Sequence, residues 1–275
     1  GGRAMKAVTL HREQVYSGNL ILVNAQYPLQ QSTPPEQIRP LEHPQVYSEN
    51  KTAPPHAQES FEHTAALPSS CVSLERKTAL VLETLFTTIG SGSSLVPVSG
   101  FRTRREQEEI YASSLAEHGK DFTESYVASP GHSEHETGLA IDLALNRDPI
   151  DFLRPYFPRD GICGRFRSKA ASYGFVERYQ EGKEALTGIA PEPWHFRYVG
   201  LPHATIMNTH GFCLEEYLDY LKDFPYEGRH LEVHVENKSF ELFYKKAEDD
   251  LTELALPGYL PFQVSGDNRE GFVFT

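Results

Sequence analysis

A chain of 275 residues, 39% of them hydrophobic and 23% charged, has the makeup of a soluble globular protein, long enough for one large domain or for a domain with an appendage. Its net charge of -12, with no basic stripe, argues against nucleic acid as a partner and gives no reason to expect attachment to anionic polymers or lipid. No apolar run reaches the length of a membrane span or signal core, and Cys71, Cys163 and Cys213, odd in number and far apart, read as reduced and mostly buried thiols.

Residues 1–4 read as a cloning remnant before Met5, which places the protein in the cytoplasm, or outside it if an anchor has been removed. Residues 5–29 form an arm with a short apolar run, Leu20-Ile21-Leu22-Val23, expected to wrap the domain as an extended segment. Residues 30–70, rich in Pro, Gln, His and Ser, lack periodicity and read as a loop. His43, His56 and His63 lie in it without a matching carboxylate pattern, so no metal site is expected there.

Apolar residues at helical spacing predict a helix over 74–89, ended by Gly90, and Leu95–Ser99 reads as a short strand. Thr103 followed by Glu106 is a capping box, so the next helix starts there and runs to about Glu117. Arg102 is thereby held at a strand-to-helix junction, where a guanidinium can point into a cleft; the plainer alternative is a surface salt bridge.

The stretch Gly131-His132-Ser133-Glu134-His135-Glu136-Thr137-Gly138-Leu139-Ala140-Ile141-Asp142 is the centre of the sequence. After Gly138, Leu139, Ile141, Leu143 and Leu145 alternate with Ala140, Asp142 and Ala144, the pattern of a strand buried on one face. His135 and Asp142 read as two metal ligands, the second on a face cleared of bulk. An irregular, proline-interrupted excursion at 146–158 is placed to roof the cleft and to decide substrate length. A short helix over 166–173 and a strand over Phe175–Tyr179 follow. In Glu192-Pro193-Trp194-His195-Phe196-Arg197-Tyr198, Trp194, Phe196 and Tyr198 share one face of a strand, and His195 and Arg197 share the other.

His195 is the third ligand. Three protein ligands leave a position open, as in catalytic rather than structural zinc sites, and Glu192 can stand beside the metal as a general base without binding it. A closed structural site would need a fourth ligand, for which His132 is the candidate. Beyond two helices at 204–209 and 214–224, alternating segments predict a β-rich C-terminal subdomain that serves as scaffold or homodimer contact. The expected division is an arm and loop over 5–70, a catalytic domain over 71–226 and the subdomain over 227–275.

Ser133-x-His135-x-x-Gly138-x-Ala140-x-Asp142, with Glu192-x-Trp194-His195, resembles the signature of the zinc D-alanyl-D-alanine peptidases of the VanY and VanX type, and most of all the bifunctional VanXY dipeptidase-carboxypeptidases of vancomycin resistance. The resemblance extends through residues 24–29, 99–103, 122–146 and 188–203. It implies an α+β fold, a small antiparallel sheet flanked by helices carrying a single zinc site, and one Zn2+ per chain on His135, Asp142 and His195. It further implies Glu192 as base and Arg102 as oxyanion partner, with Ser133 and Gln107 placing the substrate. The implied substrates are the D-Ala-D-Ala dipeptide and peptidoglycan precursor peptides. Two other readings share the motifs: a muropeptide L,D-carboxypeptidase or endopeptidase, and a non-catalytic zinc module like that of Hedgehog signalling domains, against which Glu192 and Arg102 speak.

Overall fold

The computed structural model describes residues 4–43 and 72–275. Cys71, His56, His63 and most of the expected loop over 30–70 lie outside the described residues. By packing, the chain divides into two compact units: Val23–Cys213 is one, and Gly1–Leu22 with Leu214–Thr275 is the other. The sequence-based boundaries at 70 and 226 therefore differ from the divisions that packing makes at 22 and 213.

The larger unit is α+β. Its centre is a four-stranded antiparallel sheet of β4 (Leu95–Ser99), β5 (Ala140–Leu145), β6 (Phe175–Tyr179) and β7 (Glu192–Tyr198), in the order β4-β5-β7-β6. Two shorter strands, β2 (Ile38–Pro40) and β3 (Ser73–Glu75), pair with one another, so the expected loop contains a strand. Helix α1 (Arg76–Ile89) is capped by the Glu75 carboxylate, which accepts from the Lys77 and Thr78 amides, and it ends at Gly90 with φ 65°. Its Leu82, Leu85, Phe86 and Ile89 pack with Ile141, Leu143, Phe166, Trp194, Phe196 and Tyr198 into one core on one side of the sheet.

The helix that opens at Thr103 has both arms of the expected capping box. It runs beyond Glu117: α2 (Arg104–Tyr126) is interrupted at Gly119 (φ 82°, ψ 178°), a conformation that favours glycine, and resumes to Tyr126. A second cluster, Val96, Val98, Ile110, Val127, Ala144 and Phe152, covers the other side of the sheet. Consequently β5 is buried on both faces rather than on one: its alanines leave room for Ile110 of α2 and for Phe152 from the excursion after β5. The helix expected over 166–173 begins earlier, as α3 (Gly161–Ala170), and passes through a short turn to Gly174.

In the smaller unit, β1 (Met5–His11) pairs with β10 (Leu251–Pro257) along its whole length. The first part of the arm is thus a strand among the C-terminal ones, not a free wrapping segment. The other strands, β8 (Leu231–Val235), β9 (Lys238–Lys246), β11 (Val264–Gly266) and β12 (Gly271–Phe274), form a sheet in the order β11-β12-β9-β8. Asp267, buried in its turn, accepts from the amides of Arg269, Glu270 and Gly271 and from the Tyr244 hydroxyl. Cys163 and Cys213 are buried. Among the described residues, no helix is long and apolar enough to cross a membrane.

Candidate metal centre

Strand register creates the site. Asp142 of β5 and His195 of β7 are direct cross-strand partners, so their side chains leave the sheet side by side, and His195 Nδ1 lies 2.9 Å from Asp142 Oδ1. On the other side of β5 the pairing with β4 slips, Pro97 facing Leu143 and Ser99 facing Asp142, which sets Ser99 opposite the site aspartate. A second slip, between β6 and β7, sets Tyr179 opposite Glu192 and lets Glu192 reach the same side as His195 (Oε2 to Nδ1 3.9 Å) although the two are three residues apart.

His135 arrives from outside the sheet, on a single tight turn over Glu134–Thr137. Ser133 caps that turn, its Oγ accepting from the His135 amide (3.2 Å), while Glu136 accepts from the Gly131 and Ser133 amides. Gly138 ends it at φ 79°; a Cβ there would stand 2.7 Å from Ile38 Cδ1, so strain and crowding both favour glycine. The Gly100–Arg102 backbone then clamps the histidine, because Arg102 N donates to His135 O (3.0 Å) and His135 Nδ1 lies 2.7 Å from the Gly100 carbonyl. His135 Nε2 is left facing Asp142 Oδ2 at 3.2 Å.

Donor atoms of His135, Asp142 and His195 lie within 4.8 Å of one another, and all three residues are buried; among the described residues this is the one such group. Two imidazoles and a carboxylate suit zinc. The second nitrogens fit as well. Nδ1 of His135 is turned to a carbonyl and Nε2 of His195 to the Glu134 carboxylate (3.1 Å), so both rings are fixed with one nitrogen directed at Asp142. His132 is not among the donors, its Nδ1 pairing with the Asn24 carbonyl at 2.7 Å.

The electrostatics separate the members of the site. Burial lowers the pKa of His135 and Arg102 adds to this, which favours the neutral imidazole. Burial acts the same way on His195, but its hydrogen bonds to the Asp142 and Glu134 carboxylates outweigh it and raise His195 to about 9. Asp142 is held below its ordinary value, since His135 and His195 outweigh its burial. Burial pushes Glu192 well above the ordinary carboxylate range; His195 pulls it back and Asp142 adds to the rise.

All seven residues singled out from the sequence, Arg102, Gln107, Ser133, His135, Asp142, Glu192 and His195, line one cleft. Arg102 is buried rather than paired at the surface, and lies over the Phe152 ring. Its Nε donates to Ser99 Oγ (2.9 Å), its Nη1 to Gln107 Oε1 (3.1 Å), and its Nη2 stands 3.6 Å from Asp142 Oδ2. Gln107 is oriented in turn by donating to the Ala128 carbonyl (2.8 Å). Tyr126 and Leu153 also line the cleft, the latter from the excursion at 146–158.

Two residues escaped the sequence reading. Tyr179 stacks on the His195 ring with centroids 4.7 Å apart. Glu134, fully buried, joins His195 to Arg178 (2.8 Å) and Arg197 (2.7 Å). The available signal was the position of Arg197, two residues after His195 and so on the same face of β7.

Comparison with known proteins gives a consistent answer. Residues 72–201 match the family model of VanY, D-alanyl-D-alanine carboxypeptidase. The chain is 39% identical to VanXYC of Enterococcus gallinarum, a bifunctional D-Ala-D-Ala dipeptidase and D-Ala-D-Ala carboxypeptidase, across 62% of this chain and 92% of that one. It is 32% identical to a D-alanyl-D-alanine carboxypeptidase of Enterococcus faecium across 97% of this chain and 78% of the relative. Among solved structures, the vancomycin-resistance D,D-dipeptidase VanXYg in complex with a D-Ala-D-Ala phosphinate analogue superposes with a TM-score of 0.82 at 42% identity, covering 98% of both chains.

Proposed function

The chain belongs to the VanY family of D-alanyl-D-alanine carboxypeptidases, and from that premise we propose that it hydrolyses the D-Ala-D-Ala dipeptide and removes the C-terminal D-Ala of peptidoglycan precursors, with one zinc ion per chain on His135, Asp142 and His195. The observation that carries this reading is the convergence of that ligand set with Glu192 and Arg102 in one cleft. Zinc bound there supplies Lewis-acid polarisation of the scissile carbonyl and acidifies water.

Everything else is done by side chains. Glu192 takes a proton from the attacking water and delivers it to the amine as the C–N bond breaks, a cycle served by a carboxyl that burial holds well above the ordinary carboxylate range. Arg102, buried and fixed by Ser99 and Gln107, donates to the oxygen that becomes negative. Ser133 and Gln107 hold the substrate's carboxylate or amide, and the excursion at 146–158 limits its length from the side of Leu153.

Purified protein loaded with zinc and incubated separately with D-Ala-D-Ala and with a pentapeptide precursor tests the reading. Free D-alanine is expected from both. Release from one alone would overturn bifunctionality, and release from neither, with zinc bound, would overturn the enzyme reading. We extend the proposal to a cytoplasmic rather than extracytoplasmic location and to a homodimer contact through the C-terminal strands, where β8 offers a sheet edge. Cell fractionation and analytical ultracentrifugation test these two assignments.

A further inference from the structure

Glu134 is a buried charge for which the reaction has no task. Its side chain is fully buried, as are those of Arg178 and Arg197, and Oε2 accepts from Arg178 Nε at 2.8 Å and from Arg197 Nη1 at 2.7 Å. Stability alone is a poor reason to keep such a group, since desolvating three charges costs much of what their attraction returns and an apolar cluster often serves as well. Nor does Glu134 cap the turn, because Ser133 and Glu136 already do so.

The remaining oxygen supplies the reason. Oε1 lies 3.1 Å from His195 Nε2, and Nδ1 of the same ring faces Asp142 Oδ1 at 2.9 Å. A carboxylate only accepts hydrogen bonds, so in the metal-free ring Asp142 and Glu134 each hold a hydrogen on the nitrogen they face; when a metal takes Asp142 and Nδ1, Glu134 keeps the ring's remaining hydrogen on Nε2 and so leaves the Nδ1 lone pair to the metal. Tyr179, stacked on the ring, limits its tilt. His135 obtains the equivalent restraint from the Gly100 carbonyl, without any charged group.

We infer that Glu134, held by Arg178 and Arg197, is a positioning residue that sets the tautomer and orientation of His195 for metal binding. The inference rests on the zinc reading of the preceding subsection. It makes a specific demand on Glu134→Gln. Two carboxylate oxygens now serve three donors; an amide has one acceptor oxygen, which the two guanidinium groups claim, and its NH2 is left facing His195 Nε2. A donor there favours hydrogen on Nδ1, the nitrogen that must bind the metal. His135 is unaffected and serves as the internal control.

The test measures the zinc dissociation constant by competition with a chromophoric chelator, and the exchangeable ring N–H protons of the cobalt(II)-substituted protein by NMR in H2O and D2O. Wild type is expected to bind one zinc and to show two ring N–H signals, from His135 Nδ1 and His195 Nε2. Glu134→Gln is expected to bind zinc about 10–100-fold more weakly and, with no acceptor left on Nε2, to show the His195 signal alone broadened by faster exchange with water. A purely structural role would lower the melting temperature and leave the dissociation constant and both signals unchanged, and that result overturns the inference. Wild-type protein lacking the His195 Nε2–H signal overturns it too, without needing the variant to fold. Failure of wild type to bind zinc at all would instead refute the metal reading on which the inference rests.

Discussion

The two faces of the four-stranded sheet use the same strands for opposite purposes. One face presents Ile141, Leu143, Trp194, Phe196 and Tyr198 to α1 and α3, and its contacts are apolar. The other carries, beside the apolar cluster around Val96, Val98 and Ala144, the side chains of Asp142, His195 and Arg197, which are no less buried but are tied to Arg102 and to Glu134, itself held by Arg178, through ion pairs and hydrogen bonds. Burial therefore does not distinguish core from site in this protein; the partners do. Apolar packing tolerates small errors of position, since its energy is spread over many contacts, whereas each buried charge depends on one or two partners at hydrogen-bond distance.

That contrast predicts that ligand loss has the largest effect. His195→Ala leaves two protein ligands and frees Glu134 from its imidazole partner, so zinc content measured on the purified protein should fall from one per chain toward zero, and D-alanine release should go with it. A variant that retains a full zinc equivalent would remove His195 from the ligand set. Glu192→Gln comes next and separates chemistry from binding. The amide is nearly isosteric and the three ligands remain, so zinc content should hold while turnover drops by about 10²–10⁴-fold, more than substrate affinity does. Loss of zinc from this variant would make Glu192 a ligand, and full activity would remove it from the mechanism.

Sequence and structure agree most where a local pattern carries the information. The Thr103–Glu106 capping box and the alternation in Glu192–Tyr198 are written within a few residues, and the seven site residues expected from such patterns all line one cleft. What sequence concealed depends on distant pairing. Glu134 sits in a polar run, Ser133-Glu134-His135-Glu136, that reads as a solvated turn, and its partners Arg178 and Arg197 come from two other strands. The arm over 5–29 has no local sign that Met5–His11 will pair with Leu251–Pro257. Two register slips, at Pro97/Ser99 and at Glu177/Tyr179, place Ser99 and Glu192, and strand periodicity alone cannot announce a slip.

The apolar face should respond in stability rather than in metal binding. Phe196 lies between Phe157 and Phe166 with ring centroids 5.5 and 4.9 Å away, and it is 1% exposed. Phe196→Ala should cost about 3–5 kcal/mol in denaturant unfolding, through lost transfer energy and the cavity left among the two rings. Zinc content of the folded fraction should stay at one per chain. A variant that is stable but short of zinc would show that the apolar face also sets ligand geometry.

The smallest effect is the most searching. Ile141 precedes the ligand Asp142 and stands opposite Phe196 in the β5–β7 register, pointing into the apolar core while its neighbour points into the site. Ile141→Val removes one methylene from a fully buried side chain, for which about 0.5–1.5 kcal/mol is expected. The urea midpoint should fall with the slope unchanged, because the surface exposed on unfolding barely alters. The zinc dissociation constant should not move, since Asp142 is held by His135, His195 and Arg102 on the far side of the strand. If this one methylene weakened zinc binding as much as it weakened the fold, the two faces would be coupled through the β5 backbone, and the division between a forgiving core and an exacting site would fail.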